Sequence, residues 1–371
     1  MMKLVIPREK HASENRVSIT PDCIPSFVKM GFSVFVEKDA GLGASFPDDM
    51  YIKAGAKVSK SSKELYKNSN VVVKIQRPFK DSKINEFSLI EKGSNFVSLI
   101  YENRFKSDFN LLKKNKLNVF AMELMPRISR AQSMDVLSSQ SNLSGYKAVI
   151  DAASQYNKAF PLMMTSAGTV APAKVLVIGA GVAGLQAIAT AKRLGAVVFC
   201  FDVRAATKEQ VESLGGNFIQ VEENDSGETK EGYAKEMSAA YKKKQSLLLE
   251  ENLKKMDIII TTALIPGKPA PILITKKMVK HMKNGSVIMD LASEFGGNCE
   301  LTKHGDTVEF DSKRIIGPIN LPSSVAHDAS RLYSKNILNF FMNSCSEGKF
   351  SGFNWDDELV QGTCITKNKA I

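Results

Sequence analysis

A glycine-rich turn between two apolar segments constrains the fold of this chain most strongly. The turn is Gly179-Ala180-Gly181-Val182-Ala183-Gly184, which follows the segment 174–178 and opens a helical pattern over 182–194. The next apolar run, 197–201, is followed at once by Asp202. A strand, a glycine turn, a helix and a second strand with an acid at its end are typical of a dinucleotide-binding βαβ unit. The pattern therefore predicts a dinucleotide site at this turn.

Each glycine of the turn has a separate mechanical role in this interpretation. Gly179 permits the tight turn, Gly181 lets the backbone approach a pyrophosphate at the positive end of the helix, and Gly184 lets helix and strand pack closely. Ala180 and Val182 complete the backbone of the predicted phosphate site. The alternative is a glycine-rich turn that binds no ligand.

Two charged residues bear on which dinucleotide would bind. Asp202 can accept hydrogen bonds from a ribose hydroxyl and would repel a 2′-phosphate, which favours NAD over NADP. Arg204 argues the other way, because an Arg just past this strand can serve a 2′-phosphate. We give the carboxylate more weight because it occupies the end of the strand.

The composition is that of a globular protein of about two domains. The chain has 371 residues, of which 43% are hydrophobic, and no apolar stretch approaches the length of a membrane span. The N-terminus becomes charged too early for a signal peptide, so we expect a cytoplasmic protein. Five cysteines without CxxC spacing and four unpaired histidines predict reduced thiols and no metal site.

The net charge of +11 raises the question of a nucleic-acid partner. The basic residues occur in short groups, such as 242–244, without the interleaved aromatic residues of a strand-binding surface. We therefore expect a solvated lysine-rich surface and no nucleic-acid binding. An acidic protein partner or a membrane surface stays open as an explanation of the charge.

Two series of alternating strand and helix patterns predict the fold class. We expect an α/β protein with two Rossmann-like, doubly wound parallel-sheet domains, joined by long helices over 138–156 and 323–346, with an NAD cleft between them. The predicted first domain is discontinuous, comprising 1–137 and 323–371, and the NAD-binding domain comprises 138–322. The predicted strands are 4–7, 33–37, 71–75, 96–100 and 119–124 in the first series and 175–178, 197–201, 218–221, 257–262, 287–291 and 315–319 in the second.

The charged segment 222–245 interrupts the second series. It contains Gly232, Tyr233 and Met237 among many charged residues. A solvated helix or loop is one interpretation, and a mobile active-site lid is the other, because long insertions often form lids.

A polar loop, 126–138, follows the last strand of the first series and leads into the first long helix. Arg127 could neutralise a phosphate or hold a carboxamide, and Gln132, Asp135 and Ser138 supply donors and acceptors for a carboxamide or a ribose. Ser133, Asp135 or Ser138 could equally cap the helix that follows. The residues alone leave both roles open.

Three segments together resemble a known family. The fingerprint with its flanks (175–204), the loop 127–138 and the segment Asp290–Thr302 are similar to the NAD(H)-binding component of proton-translocating nicotinamide nucleotide transhydrogenases, and the similarity runs nearly end to end. The start of the chain, 6–9 and 14–21, is also shared with the related alanine dehydrogenases.

The resemblance implies site residues and roles. It places Arg127, Gln132, Asp135 and Ser138 around the nicotinamide and its ribose as the catalytic set, with Ile128 and Ser129 in the same loop. It implies that Tyr233 belongs to a lid and that Gly232, Val203 and Leu264 line the nucleotide site.

Transhydrogenation suits the residues of this chain. A hydride that moves between two nicotinamides releases no proton at the reacting carbons, so the site needs positioning and exclusion of water rather than an acid or base. An amino-acid dehydrogenase needs a base, for which that branch uses a His and an Asp. Here 100–104 lacks histidine and Glu294 stands in the place of the Asp. Lys74 and Arg16 keep an alanine dehydrogenase-like NAD-dependent enzyme as the alternative, unless they form only surface or interdomain ion pairs.

The resemblance also implies an assembly. We expect a homodimeric peripheral subunit on the cytoplasmic face of the inner membrane, with NAD(H) as its bound substrate. The hydride would pass, with Si-specific stereochemistry, to NADP⁺ on a separate component, and a membrane proton-channel component would couple the transfer to proton translocation. The end of the chain at Ile371 resembles the split form of the enzyme.

Overall fold

The chain forms two compact units. The computed structural model describes residues 1–221, 238–265 and 268–366. The first unit comprises Met1–Gln140 and Pro322–Ile371, and the second comprises Ser141–Leu321. The chain passes from the first unit to the second within one long helix.

The first unit is built on a parallel sheet with six strands in its described part, in the order β3-β2-β1-β4-β5-β6. Its strands are β1 (Met2–Ile6), β2 (Phe32–Glu37), β3 (Lys57–Ser59), β4 (Val71–Val73), β5 (Asn95–Ser98) and β6 (Asn118–Ala121). The helices between them are α1 (Ile24–Lys29), α2 (Asp48–Lys53), α3 (Ser62–Tyr66) and α4 (Lys106–Lys114).

Both faces of this sheet are buried, as the near-continuous apolar strands require. On β1, Leu4 and Ile6 belong to one core cluster, whereas Val5 belongs to the cluster on the other face. Successive side chains of a strand point to opposite faces, so this alternation shows a layer of packed structure on each side.

Helix α5 (Val136–Gln155) leads into the second unit. This unit has a seven-stranded sheet in its described residues, in the order β11-β10-β9-β12-β13-β15-β14, and a separate antiparallel hairpin. The hairpin strands are β7 (Met163–Thr165) and β8 (Gly168–Val170); the sheet strands are β9 (Lys174–Ile178), β10 (Val197–Phe201), β11 (Asn217–Ile219), β12 (Ile258–Thr261), β13 (Val287–Asp290), β14 (Thr307–Phe310) and β15 (Lys313–Ile316). The helices are α6 (Val182–Arg193), α7 (Lys208–Ser213), α8 (Ala239–Leu253) and α9 (Lys276–Lys280).

The chain then returns to the first unit. It forms α10 (Ala326–Met342), the short hairpin β16 (Cys345–Ser346) and β17 (Lys349–Phe350), and α11 (Glu358–Thr363). The ring centroid of Phe353 lies 4.2 Å from that of Phe120 on β6, and Trp355 stacks on Phe120 at 5.8 Å. Aromatic burial of this kind fastens the tail to the core of the first unit.

The predicted α/β class with Rossmann-like parallel sheets is confirmed, whereas the ends of several strands differ and the hairpin strands β7, β8, β16 and β17 were not predicted. Strand β6 ends at Ala121 rather than at residue 124, because residues 122–124 turn and bring the Glu123 carboxylate to the amides of Ile100 and Tyr101. Strands β3 and β14 were not predicted, and β14 pairs antiparallel with β15. The last long helix is shorter than 323–346, because a 3-10 helix, Leu321–Val325, precedes it and the hairpin of β16 and β17, with positive φ at Glu347 and Gly348, follows it.

Candidate functional site

The glycine turn lies where β9 ends and α6 begins. Gly179 has φ +102°, and a Cβ on Gly184 would lie 1.8 Å from the carbonyl oxygen of Gly179. The first value favours glycine strongly and the second excludes any side chain without a backbone shift. The roles expected of Gly179 in the turn and of Gly184 in close packing are therefore confirmed.

Gly181 differs from these two glycines. A Cβ built on it meets nothing within 4 Å. Gly181 is the N-cap residue of α6 and, as a glycine, has no side chain that could accept a hydrogen bond from the first amides of the helix. Neighbouring Val182 is 42% exposed. The first amides of a helix need an outside acceptor, and an anion satisfies them and the helix dipole together. The turn with Ala180 and Val182 thus fits the pyrophosphate of a dinucleotide.

Asp202 is bound to the turn by its own carboxylate. Its Oδ2 accepts the amide of Ala180 at 2.6 Å, and Arg204 donates Nε to Oδ1 at 2.9 Å and Nη2 to Oδ2 at 2.7 Å. Asp202 is 6% exposed. Arg204 is thereby neutralised by Asp202, which lessens the positive charge that a 2′-phosphate would need.

The other residues that the resemblance assigns to the nucleotide site have varied settings. Val203 is half-buried against the core that includes Phe201, and Leu264 is 40% exposed. Gly232 and Tyr233, with most of the proposed lid, lie outside the described residues. The remaining lid residues, 238–245, begin helix α8, which is capped by Ser238 and buries Tyr241 and Gln245.

The loop 127–138 presents part of its side chains to solvent. Arg127, Ile128, Ser129 and Gln132 are exposed, whereas Ala131 and Met134 are buried in the core of the first unit. The amides of Asn336 and Asn339 on α10 donate to the carbonyl of Ser133 at 2.8 and 3.0 Å. Helix α10 and the core of the first unit thus hold the buried side of the loop, and its polar side chains point to solvent.

Asp135 caps helix α5. Its Oδ1 accepts the amide of Ser138 at 2.9 Å, and its Oδ2 accepts the hydroxyl of Ser138 at 2.6 Å. The capping alternative is confirmed for Asp135. The pair is half-buried, so its capping role and a role toward a ligand are compatible.

Arg130, in the same loop, is paired within the protein. Its guanidinium makes two parallel bonds to Asp357, at 2.8 and 2.9 Å, and a third to Glu358. The hydrogen bonds from Arg130 lower the pKa of Asp357 to about 2. The tail therefore holds the loop through an ion pair between residues more than 220 positions apart, which no local pattern predicts.

Lys74 and Arg16 lie inside the first unit. Lys74 is 0% exposed, with its Nζ 2.9 Å from Glu86 and 3.4 Å from Glu9. Arg16 is 3% exposed and pairs with Glu14 at 2.6 Å. The alternative interpretation of both residues as surface or interdomain ion pairs is confirmed as to pairing and wrong as to place, because the carboxylates lie in the same unit and reach both cations in its interior.

Burial acts strongly on this cluster. It raises the pKa of Glu9 to about 7, against the opposing charge of Lys74. Burial alone would lower the pKa of Lys74, but the carboxylates of Glu9 and Glu86 outweigh it and raise this pKa. Oε2 of Glu9 has no hydrogen-bond partner among the described residues.

Three residues near the glycine turn escaped the sequence reasoning. Gly145 lets α5 approach α6, since a Cβ there would lie 2.1 Å from the carbonyl oxygen of Ala183. Thr262 and Asn298 support the turn through hydrogen bonds. Of the three, only Gly145 had a local sequence signal, because a glycine inside a helical pattern is unusual. Thr262 and Asn298 act through partners distant in sequence.

In 1–221, 238–265 and 268–366 no group of three His, Cys, Asp or Glu side chains could hold a metal ion. None of the helices in these ranges combines the length and apolar character of a membrane span.

Comparison with known proteins gives the family. Residues 5–144 match "Alanine dehydrogenase/PNT, N-terminal domain" and residues 148–371 match "Alanine dehydrogenase/PNT, C-terminal domain". An NAD(P) transhydrogenase alpha-subunit polypeptide of Rhodospirillum rubrum is 52% identical over 374 residues, which covers 100% of this chain and 97% of the relative.

Solved structures agree with this match. The crystal structure of transhydrogenase from Sinorhizobium meliloti is similar with a TM-score of 0.87 and 44% identity, over 98% of this chain and 97% of that one. An L-alanine dehydrogenase structure is more distant, with a TM-score of 0.79 and 26% identity, over 94% of this chain and 91% of that one. The chain therefore belongs to the alanine dehydrogenase/PNT family, on the branch of the NAD(P) transhydrogenase alpha subunits.

Proposed function

We propose that this chain is the NAD(H)-binding component of an NAD(P)⁺ transhydrogenase. The open position at Gly181, at the start of α6, carries the proposal, in a chain 52% identical to a transhydrogenase alpha subunit. The helix amides and the glycine turn can hold a pyrophosphate without any added cation.

We assign the dinucleotide's parts to residues as follows. The turn residues Gly179, Ala180, Gly181, Val182 and Gly184 bind the pyrophosphate. The adenosine side of NAD(H) is bound by Asp202, Val203, Arg204 and Leu264, with Gly232 and Tyr233 in a lid. Asp202 accepts a ribose hydroxyl by sharing the oxygens that now face Ala180 and Arg204.

The nicotinamide and its ribose are assigned to Arg127, Ile128, Ser129, Gln132, Asp135 and Ser138. The exposed Gln132 amide and the Arg127 guanidinium supply hydrogen bonds to a carboxamide, and the Asp135–Ser138 pair supplies an acceptor and a donor to a ribose. Their task is to hold two rings roughly 3 to 3.5 Å apart at the reacting carbons and to exclude water. Because no proton is released there, the absence of a histidine from 100–104 is compatible with the reaction.

The partners follow from the proposed reaction. NADP⁺ is held by a separate component, the hydride transfer is Si-specific, and a membrane component couples it to proton translocation. The chain would act as a homodimer, peripheral on the cytoplasmic face of the inner membrane. The names of the relatives as alpha subunits support the existence of further subunits.

The decisive experiment mixes this chain, a reduced nicotinamide donor and the NADP-binding component, and follows direct hydride transfer with a 4-deuterated donor. Gln132→Asn should slow the transfer far more than it weakens NADH binding, because it withdraws the amide by one methylene from the ring. Gln361→Asn makes the same change at an exposed tail glutamine and should leave the rate unaltered. Unchanged transfer in Gln132→Asn would remove the proposed role of the loop.

An amino-acid dehydrogenase activity is tested in the same preparation with L-alanine and NAD⁺. We expect no turnover, because Lys74 is enclosed by Glu9 and Glu86 and is 0% exposed. Turnover at ordinary dehydrogenase rates without any partner protein would overturn the proposed function.

A further inference from the structure

A buried aspartate organises the segment that follows β13. Asp290 is 0% exposed, and its two carboxylate oxygens accept hydrogen bonds from two hydroxyls and three backbone amides. The donors are the hydroxyls of Thr261 (2.8 Å) and Thr302 (2.6 Å) and the amides of Ala292 (3.0 Å), Asn298 (2.7 Å) and Cys299 (3.0 Å). A buried carboxylate with this many donors is strongly fixed in place.

A glycine of this segment permits the arrangement. Gly297 has φ +85°, and a Cβ on it would lie 2.8 Å from Oδ2 of Asp290. A side chain at that position would push the carboxylate away from the amides of Asn298 and Cys299. The Gly-Gly-Asn-Cys run is therefore shaped around Asp290.

Asn298 transmits this order to a neighbouring loop. Its side chain is 0% exposed, accepts the amide of Ala263 at 3.0 Å and donates to the carbonyls of Ala263 and Pro271, each at 2.9 Å. Both polar atoms of the Asn298 side chain are thus satisfied by the backbone after β12. An amide in this setting specifies backbone position, since leaving any of these groups unpaired inside the protein is costly.

The loop held by Asn298 contacts the glycine turn directly. The amide of Thr262 donates to the carbonyl of Ile178 at 2.8 Å, and its hydroxyl donates to the carbonyl of Gly179 at 2.9 Å. A Cβ on Gly179 would lie 2.6 Å from the hydroxyl oxygen of Thr262. Thr262 therefore sets the position of Gly179 and so of the glycine turn that leads into α6.

We propose that Asn298 and Thr262 are positioning residues for the nucleotide turn, acting in the order Asp290, Asn298, Ala263–Thr262, Gly179. This inference rests on the proposed function, because it presumes that the Gly179–Gly184 turn binds the pyrophosphate of NAD(H). Neither residue touches the nucleotide in this proposal. Their effect is to hold the turn in the conformation that receives it, so they govern affinity for the pyrophosphate rather than for the adenosine.

The test compares Asn298→Ala, Thr262→Val and Thr262→Ser in the full chain. Thr262→Val removes the hydroxyl with little change of volume, and Thr262→Ser restores it. NADH dissociation constants come from its own fluorescence, those of ADP-ribose and adenosine from competition, and folding from thermal unfolding. We expect NADH and ADP-ribose to bind roughly ten-fold more weakly to Asn298→Ala and Thr262→Val, with adenosine unchanged and Thr262→Ser within about two-fold of the parent.

A double variant shows whether the two residues act in series. If Asn298 works through Thr262, Asn298→Ala with Thr262→Val binds NADH no more weakly than the worse single variant. Asp257→Asn is the matched control, because Asp257 is also buried and lies in the same unit. Its carboxylate accepts hydrogen bonds from the backbone amide of Lys174, at the start of β9, and from the ammonium group of Lys283. It should lower the unfolding temperature without changing the affinity ratio of ADP-ribose to adenosine.

Several results would overturn the inference. These are parent-like NADH binding by a folded Thr262→Val, a Thr262→Ser variant as weak as Thr262→Val, or an equal loss of ADP-ribose affinity in Asp257→Asn. If Asn298→Ala does not fold, the Val and Ser variants at Thr262 decide the matter. Failure of the parent chain itself to bind NADH would instead overturn the proposed function.

Discussion

The same edge of two similar sheets is used in opposite ways. In both units the strand order around the first strand is alike, β3-β2-β1-β4 in one and β11-β10-β9-β12 in the other. Parallel sheets of this order leave a crevice beyond the carboxyl end of the first strand. In the first unit Glu9 and Lys74 follow β1 and β4, and in the second Gly179 and Thr262 follow β9 and β12.

The side chains at these positions decide what the crevice holds. In the first unit the long side chains of Glu9 and Glu86 both pair with Lys74 in the interior, and Lys10 pairs with Glu86 as well. In the second unit the hydroxyl of Thr262 turns toward the backbone, and Gly181 leaves its surroundings open. Similar topology thus gives a closed ionic core in one unit and an open backbone cradle in the other.

The largest expected effect comes from breaking the ionic core. Lys74→Met leaves the buried Glu9 without its cation and Glu86 with Lys10 alone, and we expect it to lower the free energy of unfolding by about 3 to 5 kcal/mol. Urea unfolding followed by the fluorescence of Trp355, the single tryptophan and part of the first unit, measures this. Lys114→Met, at an exposed helix position, should change stability little, and equal effects at the two sites would contradict the ionic-core interpretation.

The next largest effects distinguish Gly184, which we expect to matter for packing, from Gly181, which we expect to matter for the approach of the ligand. Gly184→Ala should destabilise the protein by roughly 2 to 3 kcal/mol, because its Cβ would meet the carbonyl oxygen of Gly179 at 1.8 Å. Gly181→Ala should keep the unfolding temperature, because its Cβ meets nothing within 4 Å, yet weaken NADH binding at least about ten-fold. Calorimetry and NADH titration measure the pair, and unimpaired NADH binding by Gly181→Ala would count against close approach of the pyrophosphate.

The smallest effect is a pH dependence that belongs to the first unit. Burial raises the pKa of Glu9 from 4.5 to about 7, so the folded state binds an additional proton between these values. The resulting contribution to stability is fully present below pH 4.5 and is lost as the pH rises through 7. We therefore expect the free energy of unfolding to fall as the pH rises across this range. Glu9→Gln should remove this fall from the urea unfolding profile.

A matched change at the surface controls for other titrating groups. Glu64→Gln, at an exposed position of α3, should keep the wild-type pH profile. The difference between the profiles of Glu9→Gln and the parent isolates Glu9 from His11, whose pKa is lowered chiefly by burial. A parent-like profile in Glu9→Gln would show that its carboxyl group does not titrate in this range.

Particular elements show what the sequence could predict. The strands 174–178 and 197–201 and the helix after Gly181 were predictable, because a glycine turn between apolar runs leaves few other conformations. The three-residue strand β3 and the edge strand β14 were not, since β3 is short and the sides of β14 are partly exposed, so neither shows a buried apolar run. The end of β6 was also misplaced, because an apolar run continues through a turn that only the partners of Glu123 explain.

The candidate site divides in the same way. The glycines, Asp202 and the polar loop 127–138 could be singled out from residue type and spacing alone. The pairing of Arg204 with Asp202, the capping by Asp135 and the support of Gly179 by Thr262 could not be ranked against other possibilities. Each of these residues has several suitable partners within reach of a flexible chain.

By itself the sequence determined the α/β class, the place of the glycine turn and the residues that we assign to a nucleotide there. Only the tertiary structure decided that Lys74 and Arg16 form ion pairs with buried carboxylates and that Asn298 hydrogen-bonds to the loop beside Gly179. The physical reason is the distance along the chain over which each interaction acts. Backbone conformation follows from neighbouring residues, whereas a buried charge or amide is given its function by partners that the strand order brings to it from distant parts of the chain.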